Sequence, residues 1–158
     1  MYIKILGCVF VAVSGFAISY ILNRRVSASL RVAEGWERLL ARIKNEIECY
    51  SLPIADILAR TDPSILRLCG YTGGEAPKSL YELREKTAFT DIETEKTVCR
   101  FISEFGQCYK AEQVGRCAYF VTLMEARRGA IAAELPEKKR LYFTLCLSAG
   151  LGILILFW

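Results

Sequence analysis

The side chains best equipped for chemistry in this sequence are seven cysteines and several closely spaced carboxylates, and no histidine accompanies them. Without histidine there is no Ser–His or Cys–His nucleophile pair, and the commonest metal ligand is missing. Cys49, Cys69, Cys99, Cys108 and Cys117 lie in the middle of the chain, with Cys8 and Cys146 near its ends. Their number is odd, no Cys-x-x-Cys occurs, and the nine-residue steps from Cys99 to Cys108 to Cys117 match no zinc ligand pattern. Reduced, buried thiols acting as small hydrophobes are expected. Glu46 with Glu48, and Glu93 with Glu95, sit two apart on segments that read as helix. Such pairs point to different faces, so solvated carboxylates are expected rather than an acid–base pair. Gly73-Gly74 has neither a preceding strand nor the Lys-Ser/Thr of a phosphate loop and reads as a flexible turn. The sequence nominates no catalytic residue, cofactor or metal site, and a non-enzymatic protein is expected.

The elements that carry these residues are bounded by charge. Of 158 residues 53% are hydrophobic, and the net charge is +4. Residues 5–23 and 141–158 contain no charged side chain, and at about 1.5 Å per residue each run approaches the roughly 30 Å hydrocarbon core of a bilayer. Transmembrane helices over 3–23 and 141–158 are therefore expected, flanking a domain over 24–140. A cleavable signal is disfavoured, because Arg24 and Arg25 stand directly before the passable site Val26-Ser27-Ala28. Arg24 and Arg25 follow the first span, and Lys138, Lys139 and Arg140 precede the second, so the middle domain is expected in the cytoplasm and both termini outside. Tyr2 with Trp158, and Tyr20 with Tyr142, would mark the two interfaces of an antiparallel pair. Gly15 with Ser19, and Ser148 with Gly152, have the small-residue spacing that permits close helix approach. With the five orienting cations set aside, the domain holds 15 bases against 17 acids, which argues against a nucleic-acid partner.

Periodicity in the domain is helical almost throughout. Val26, Ala33, Leu40 and Ile47, with Trp36, Ile43 and Tyr50 offset by three, form an a/d seam over 26–50. Glu34 with Arg38, Arg42 with Glu46, and Lys44 with Glu48 supply i,i+4 pairs. Pro53 is placed to open a second helix, and Asp62-Pro63 to cap and open a third that Gly70 ends. Ser79 with Glu82 makes a capping box for a fourth, and Asp91 or Thr90 starts a fifth whose apolar face is Val98, Phe101, Ile102 and Phe105. A last helix is expected from about Tyr109 to Leu135, with Pro136 breaking the path to the second span. The fold class is thus all-α: a small antiparallel bundle of about six helices between two membrane anchors. Trp36, Tyr71, Tyr81 and Tyr109 are candidate partner anchors, although Trp36 on the seam is expected to pack in the core. Arg127 and Arg128 are candidates for lipid headgroups or an acidic partner, or for a solvated face.

Leu39-Leu40, then Glu46-Ile47-Glu48-Cys49-Tyr50-Ser51-Leu52-Pro53-Ile54 and Asp56-Ile57-Leu58, resemble the first cytoplasmic helix and turn of the stage III sporulation protein AB family. Glu46, Tyr50 and Pro53 are its family-like turn residues. Phe105-Gly106 before a long helix, the basic cluster, and Gly150 and Gly152 in the terminal run are also similar to that family, as is the layout of a span at each end. The chain departs from it at Gln107-Cys108-Tyr109-Lys110, where the family usually continues Leu-Gly and an acidic residue. The resemblance implies a domain similar to that of the type II secretion F protein. It implies a platform subunit in the outer forespore membrane, on the mother-cell side, within a channel complex linking mother cell and forespore. The implied partners are a secretion-type ATPase and polytopic membrane proteins, alongside the lipid bilayer; self-association stays open. A membrane-anchored sensor or adaptor, signalling along the first helix, is the alternative.

Overall fold

The computed structural model describes the backbone of residues 2–107 and 109–156, and the side chains of 20–21, 24–107, 109–141, 143–145 and 148. The fold is all-α, and among the described residues six helices follow one another: α1 (Tyr2–Tyr50), α2 (Ile54–Ala59), α3 (Pro63–Leu68), α4 (Leu80–Glu85), α5 (Ile92–Glu104) and α6 (Lys110–Leu156). No strand occurs among the described residues, and an isolated antiparallel bridge joins Tyr71 to Thr87. The chain divides into a body, Ser29–Ile131, and a second unit made of Met1–Ala28 and Ala132–Trp158. These edges fall inside the 24–140 domain read from charge. The expected spans lie mostly on residues whose side chains are outside the described set, and so do Gly15, Ser19 and Gly152. Ser148 is exposed, its hydroxyl donating to the Leu145 carbonyl at 3.1 Å. Among the described residues no helix is long and apolar enough to cross a membrane.

Local chemistry accounts for where the short helices begin. Asp62 accepts from Ser64 N at 2.8 Å, capping α3 with Pro63 in its first turn, where a missing N–H costs nothing. Ser79 Oγ accepts from Glu82 N at 3.1 Å, while the Glu82 carboxylate turns back to Lys78 N at 2.9 Å, one residue beyond the usual capping-box partner. Asp91 accepts from Thr94 N at 2.8 Å to open α5. Gly70 (φ 85°) and Gly106 (φ 82°) turn the chain beyond α3 and α5 through the left-handed region that favours glycine. Pro53 precedes α2 as its extended N-cap instead of lying inside the first turn.

The core is laid on α1. Val32, Ala33, Trp36, Leu39, Leu40, Ile43 and Ile47 are all buried, so the apolar face is a broad stripe with i, i+3, i+4, i+7 spacing and not a narrow two-position seam. Tyr50 departs from the seam: it is 72% exposed, because α1 has passed beyond the body's apolar interior by its last residue. Against the stripe pack Ile57 and Leu58 of α2, Leu66 of α3, Leu83 of α4, Val98 and Phe101 of α5, and Phe120 and Met124 of α6. Phe101 meets Phe120 edge-on at 5.4 Å, and Trp36 stacks on Phe89 at 6.1 Å. Of the expected i,i+4 pairs, Glu34–Arg38 (2.6 Å) and Arg42–Glu46 (3.8 Å) form, whereas Lys44 and Glu48 make no ion pair among the described residues.

Gly35 has a tertiary role that periodicity does not reveal. A Cβ there would lie 2.4 Å from both Cys69 N and the Leu68 carbonyl carbon, so the end of α3 rests directly on the α1 backbone. Pro136 also behaves differently from expectation, since α6 continues through it to Leu156. It removes one N–H, to the Ala132 carbonyl, and that single loss at an exposed position does not stop the helix.

Three glycines in long helices therefore separate packing from propensity. Nothing lies within 4 Å of a Cβ built at Gly115 or Gly129. Gly115→Ala and Gly129→Ala are expected to stabilise by about 0.5–1 kcal/mol each. Gly35→Ala is expected to destabilise by about 1–3 kcal/mol, because backbone cannot yield as a side chain does. Thermal unfolding of the three variants, followed by circular dichroism, measures the opposite signs.

Candidate functional site

The carboxylate and thiol chemistry considered from sequence does not assemble. Among the described residues no group of three or more acids and cysteines could hold a metal ion. Glu93 pairs with Lys96 at 2.9 Å and Glu95 with Arg84 at 3.1 Å, so the two carboxylates are engaged with different cations. Cys69 and Cys117 are buried, Cys99 is half-buried and Cys49 is exposed; all four thiols are free. Burial pushes both buried thiols up, Cys117 to about 11, with the nearby charge of Lys44 partly opposing the rise. Neither is a nucleophile at neutral pH. A crevice of only about 10 Å³ lies between α5 and α6, lined by Phe101, Glu104, Phe105, Gln113, Arg116, Cys117 and Phe120. Arg116 spans Glu112 at 2.9 Å and Glu104 at 3.8 Å, which closes the rim with charges already matched.

Arg127 and Arg128, considered above for lipid or an acidic partner, are used inside the body. Arg127 holds Asp91 through two bonds, Nη2–Oδ1 at 2.6 Å and Nε–Oδ2 at 3.0 Å. The next residue, Arg128, meets Glu37 of α1 at 2.6 Å as a charge contact whose N–H is not aligned for a hydrogen bond. Adjacent arginines on α6 thus fasten it to the start of α5 and to α1. Asp91 does double duty, since Oδ2 also accepts from Thr94 N at 2.8 Å and Thr94 Oγ1 at 2.6 Å. Its pKa falls from the ordinary 3.8 to about 2, chiefly through the Arg127 hydrogen bonds, against the opposing effect of burial.

The exposed aromatics sort cleanly. Trp36 is fully buried, and Tyr71 is buried with its hydroxyl donating to the Glu75 carbonyl at 2.9 Å, so neither is an anchor for a partner. Tyr81 (67%) and Tyr109 (90%) are exposed, and Tyr50, counted with the core from its spacing, joins them. Tyr50 and Tyr109 are each followed by one member of a joined pair, for Lys110 Nζ donates to Ser51 Oγ at 2.6 Å. This links the last turn of α1 to the first turn of α6. Of the family-like turn residues, Glu46 is half-buried beside Arg42, whereas Tyr50 and Pro53 are exposed. The orienting residues Arg24, Arg25, Lys138 and Arg140 are exposed and Lys139 is half-exposed. Helical spacing identifies a buried stripe but not where a helix leaves the core, and so it places Tyr50 with the seam although the residue is exposed.

The Asp91 pKa fixes the sign of an acid effect. A depressed carboxylate pKa contributes stability that is present above about pH 4 and lost as the pH falls through about 2. Asp91→Asn keeps a capping side chain but loses the charge, and is expected to cost about 1–2 kcal/mol at pH 7. Unfolding midpoints of the full chain in detergent from pH 7 to pH 2 should converge for the two proteins as the acid limb of the parent is lost. Parallel curves would show that the pair contributes nothing.

Comparison with protein-family models, with curated proteins and with solved structures returns no match for this chain.

Proposed function

We propose that this chain is a non-enzymatic membrane platform subunit that brings a secretion-type ATPase and polytopic membrane proteins together in a sporulation channel between mother cell and forespore. The observation that carries this reading is the form of the two longest helices. α1 and α6 each continue without a break from residues of the body through a basic cluster into a charge-free run, 5–23 in α1 and 141–156 in α6. A body tethered at both ends of its chain is held at a membrane surface, which raises its effective concentration for partners assembling there. The resemblance to the stage III sporulation protein AB family supports the same reading, and it supplies the fine architecture proposed: a six-helix bundle like the type II secretion F domain, between two transmembrane helices. In that arrangement the bundle faces the mother-cell cytoplasm, both termini lie on the other side of the outer forespore membrane, and no cofactor takes part.

The unbroken length of α1 from Tyr2 to Tyr50 favours the second reading, a membrane-anchored sensor or adaptor. Such a rod would transmit a rotation or displacement along its axis. Purification in mild detergent separates the two. The platform reading expects a secretion-type ATPase and polytopic membrane proteins to co-purify, and expects them to be lost when residues 141–158 are deleted. A self-contained dimer that responds to a small ligand would contradict it. Topology has its own readout in Cys49, the exposed thiol among the described residues of the body. An impermeant thiol reagent applied to intact cells should leave Cys49 unmodified and label it after permeabilisation; labelling from outside would reverse the orientation.

A further inference from the structure

At one end of the body, where α1 finishes and α6 begins, several features coincide that the core does not require. Tyr109 and Tyr50 are, at 90% and 72%, the most exposed large apolar side chains among the described residues. Ser51 sits at φ 52°, in the left-handed region, where a residue with a Cβ pays about 1–2 kcal/mol of conformational energy. This is the left-handed cap of α1, with the Ser51 N–H donating to the Ile47 carbonyl at 3.1 Å, and the Ser51 hydroxyl accepts from Lys110 Nζ at 2.6 Å. The two helices run antiparallel: Glu37 of α1 meets Arg128 of α6 at 2.6 Å, and Ser51, directly after α1, meets Lys110 in the first turn of α6. Lys44 precedes Ser51 by seven residues, about 10 Å along the axis of α1.

The charges of this seam are not balanced by the fold. Neither Lys44 nor Lys110 is in an ion pair among the described residues. Glu112, close to Lys110 in sequence, is engaged by Arg116 at 2.9 Å. Glu48 is the nearby acid on the α1 side, and it makes no ion pair with Lys44. The polar groups on offer are thus two phenols, which donate and accept, two ammonium groups and the one Glu48 carboxylate, so cations are in excess among exposed aromatic surface. Aromatic residues anchor interfaces well because they bury much area at little entropy cost, and unpaired cations beside them select carboxylates. We propose that Tyr50, Tyr109, Lys110 and Lys44 form a docking surface for an acidic segment of a partner protein. This deepens the platform reading and rests on it for the presence of a partner at the membrane.

The test is photocrosslinking from the full chain in its own membrane, with Tyr109 replaced by benzoylphenylalanine. The expected product joins position 109 to a protein segment rich in Asp and Glu, identified by peptide mapping. Its yield is expected to fall about tenfold with Lys110→Glu and to return with Lys110→Arg, while the unfolding midpoint of both variants stays near that of the parent. Crosslinks to lipid, to a second copy of this chain or to a segment without acidic excess would overturn the proposal. So would the absence of a crosslink, or a Lys110→Glu variant that crosslinks as well as the parent. An acidic segment from a protein outside any secretion machinery would support this surface and count against the platform reading. Recovery of a secretion-type ATPase that crosslinks elsewhere would do the reverse.

Discussion

The body of this protein is organised by one constraint, the burial of a single face of α1. Seven apolar side chains from Val32 to Ile47 form a stripe with neighbours on several sides, and each later helix contributes its few apolar residues to that surface. The short helices α2, α3 and α4 have six residues each, too few to be stable alone, so they exist because the stripe gives them something to cover. Gly35 adds a steric condition to the hydrophobic one. By lacking a side chain it lets the α3 backbone touch α1, and so fixes where the Asp62–Gly70 turn must lie.

Polar contacts then set direction more than strength. The Asp91–Arg127 and Glu37–Arg128 pairs are partly shielded, and they join three elements that are far apart in sequence. Hydrophobic burial alone would tolerate α6 slipping along the stripe; two adjacent arginines with fixed partners on α5 and α1 choose one register. At the opposite end of the body the α1–α6 junction is held by Ser51 and Lys110 instead, and there aromatic and cationic groups remain available to solvent. One pair of helices thus has an end committed to internal structure and an end free for contact.

Much of this could be read from the residues in order. Asp62, Ser79 and Asp91 cap helices through bonds to residues two or three ahead, so their role is written locally, and the buried α1 stripe follows from helical period. Other features depend on what comes from far along the chain. Nothing near Gly35 announces that Cys69 will lie against it, and nothing near Arg127 names Asp91 as its partner. Tyr50 satisfied the spacing of the seam, but spacing continues along a helix after the core has ended. Pro136 was weighed by its usual effect within a helix, yet a long exposed helix absorbs the loss of one hydrogen bond. The docking surface was half legible: Tyr109 stood out as an aromatic, while Tyr50 and Lys110 acquire meaning only once α1 and α6 are side by side.

Amide hydrogen exchange on the full chain in detergent tests the dependence of the body on α1 most directly. If the α1 stripe organises the fold, the amides of residues 32–47 exchange slowest within the body. Those around Phe101 in α5 and Phe120 in α6 should then open with them as one cooperative unit. Protection that persists in α5 and α6 after the α1 amides have exchanged would contradict the account.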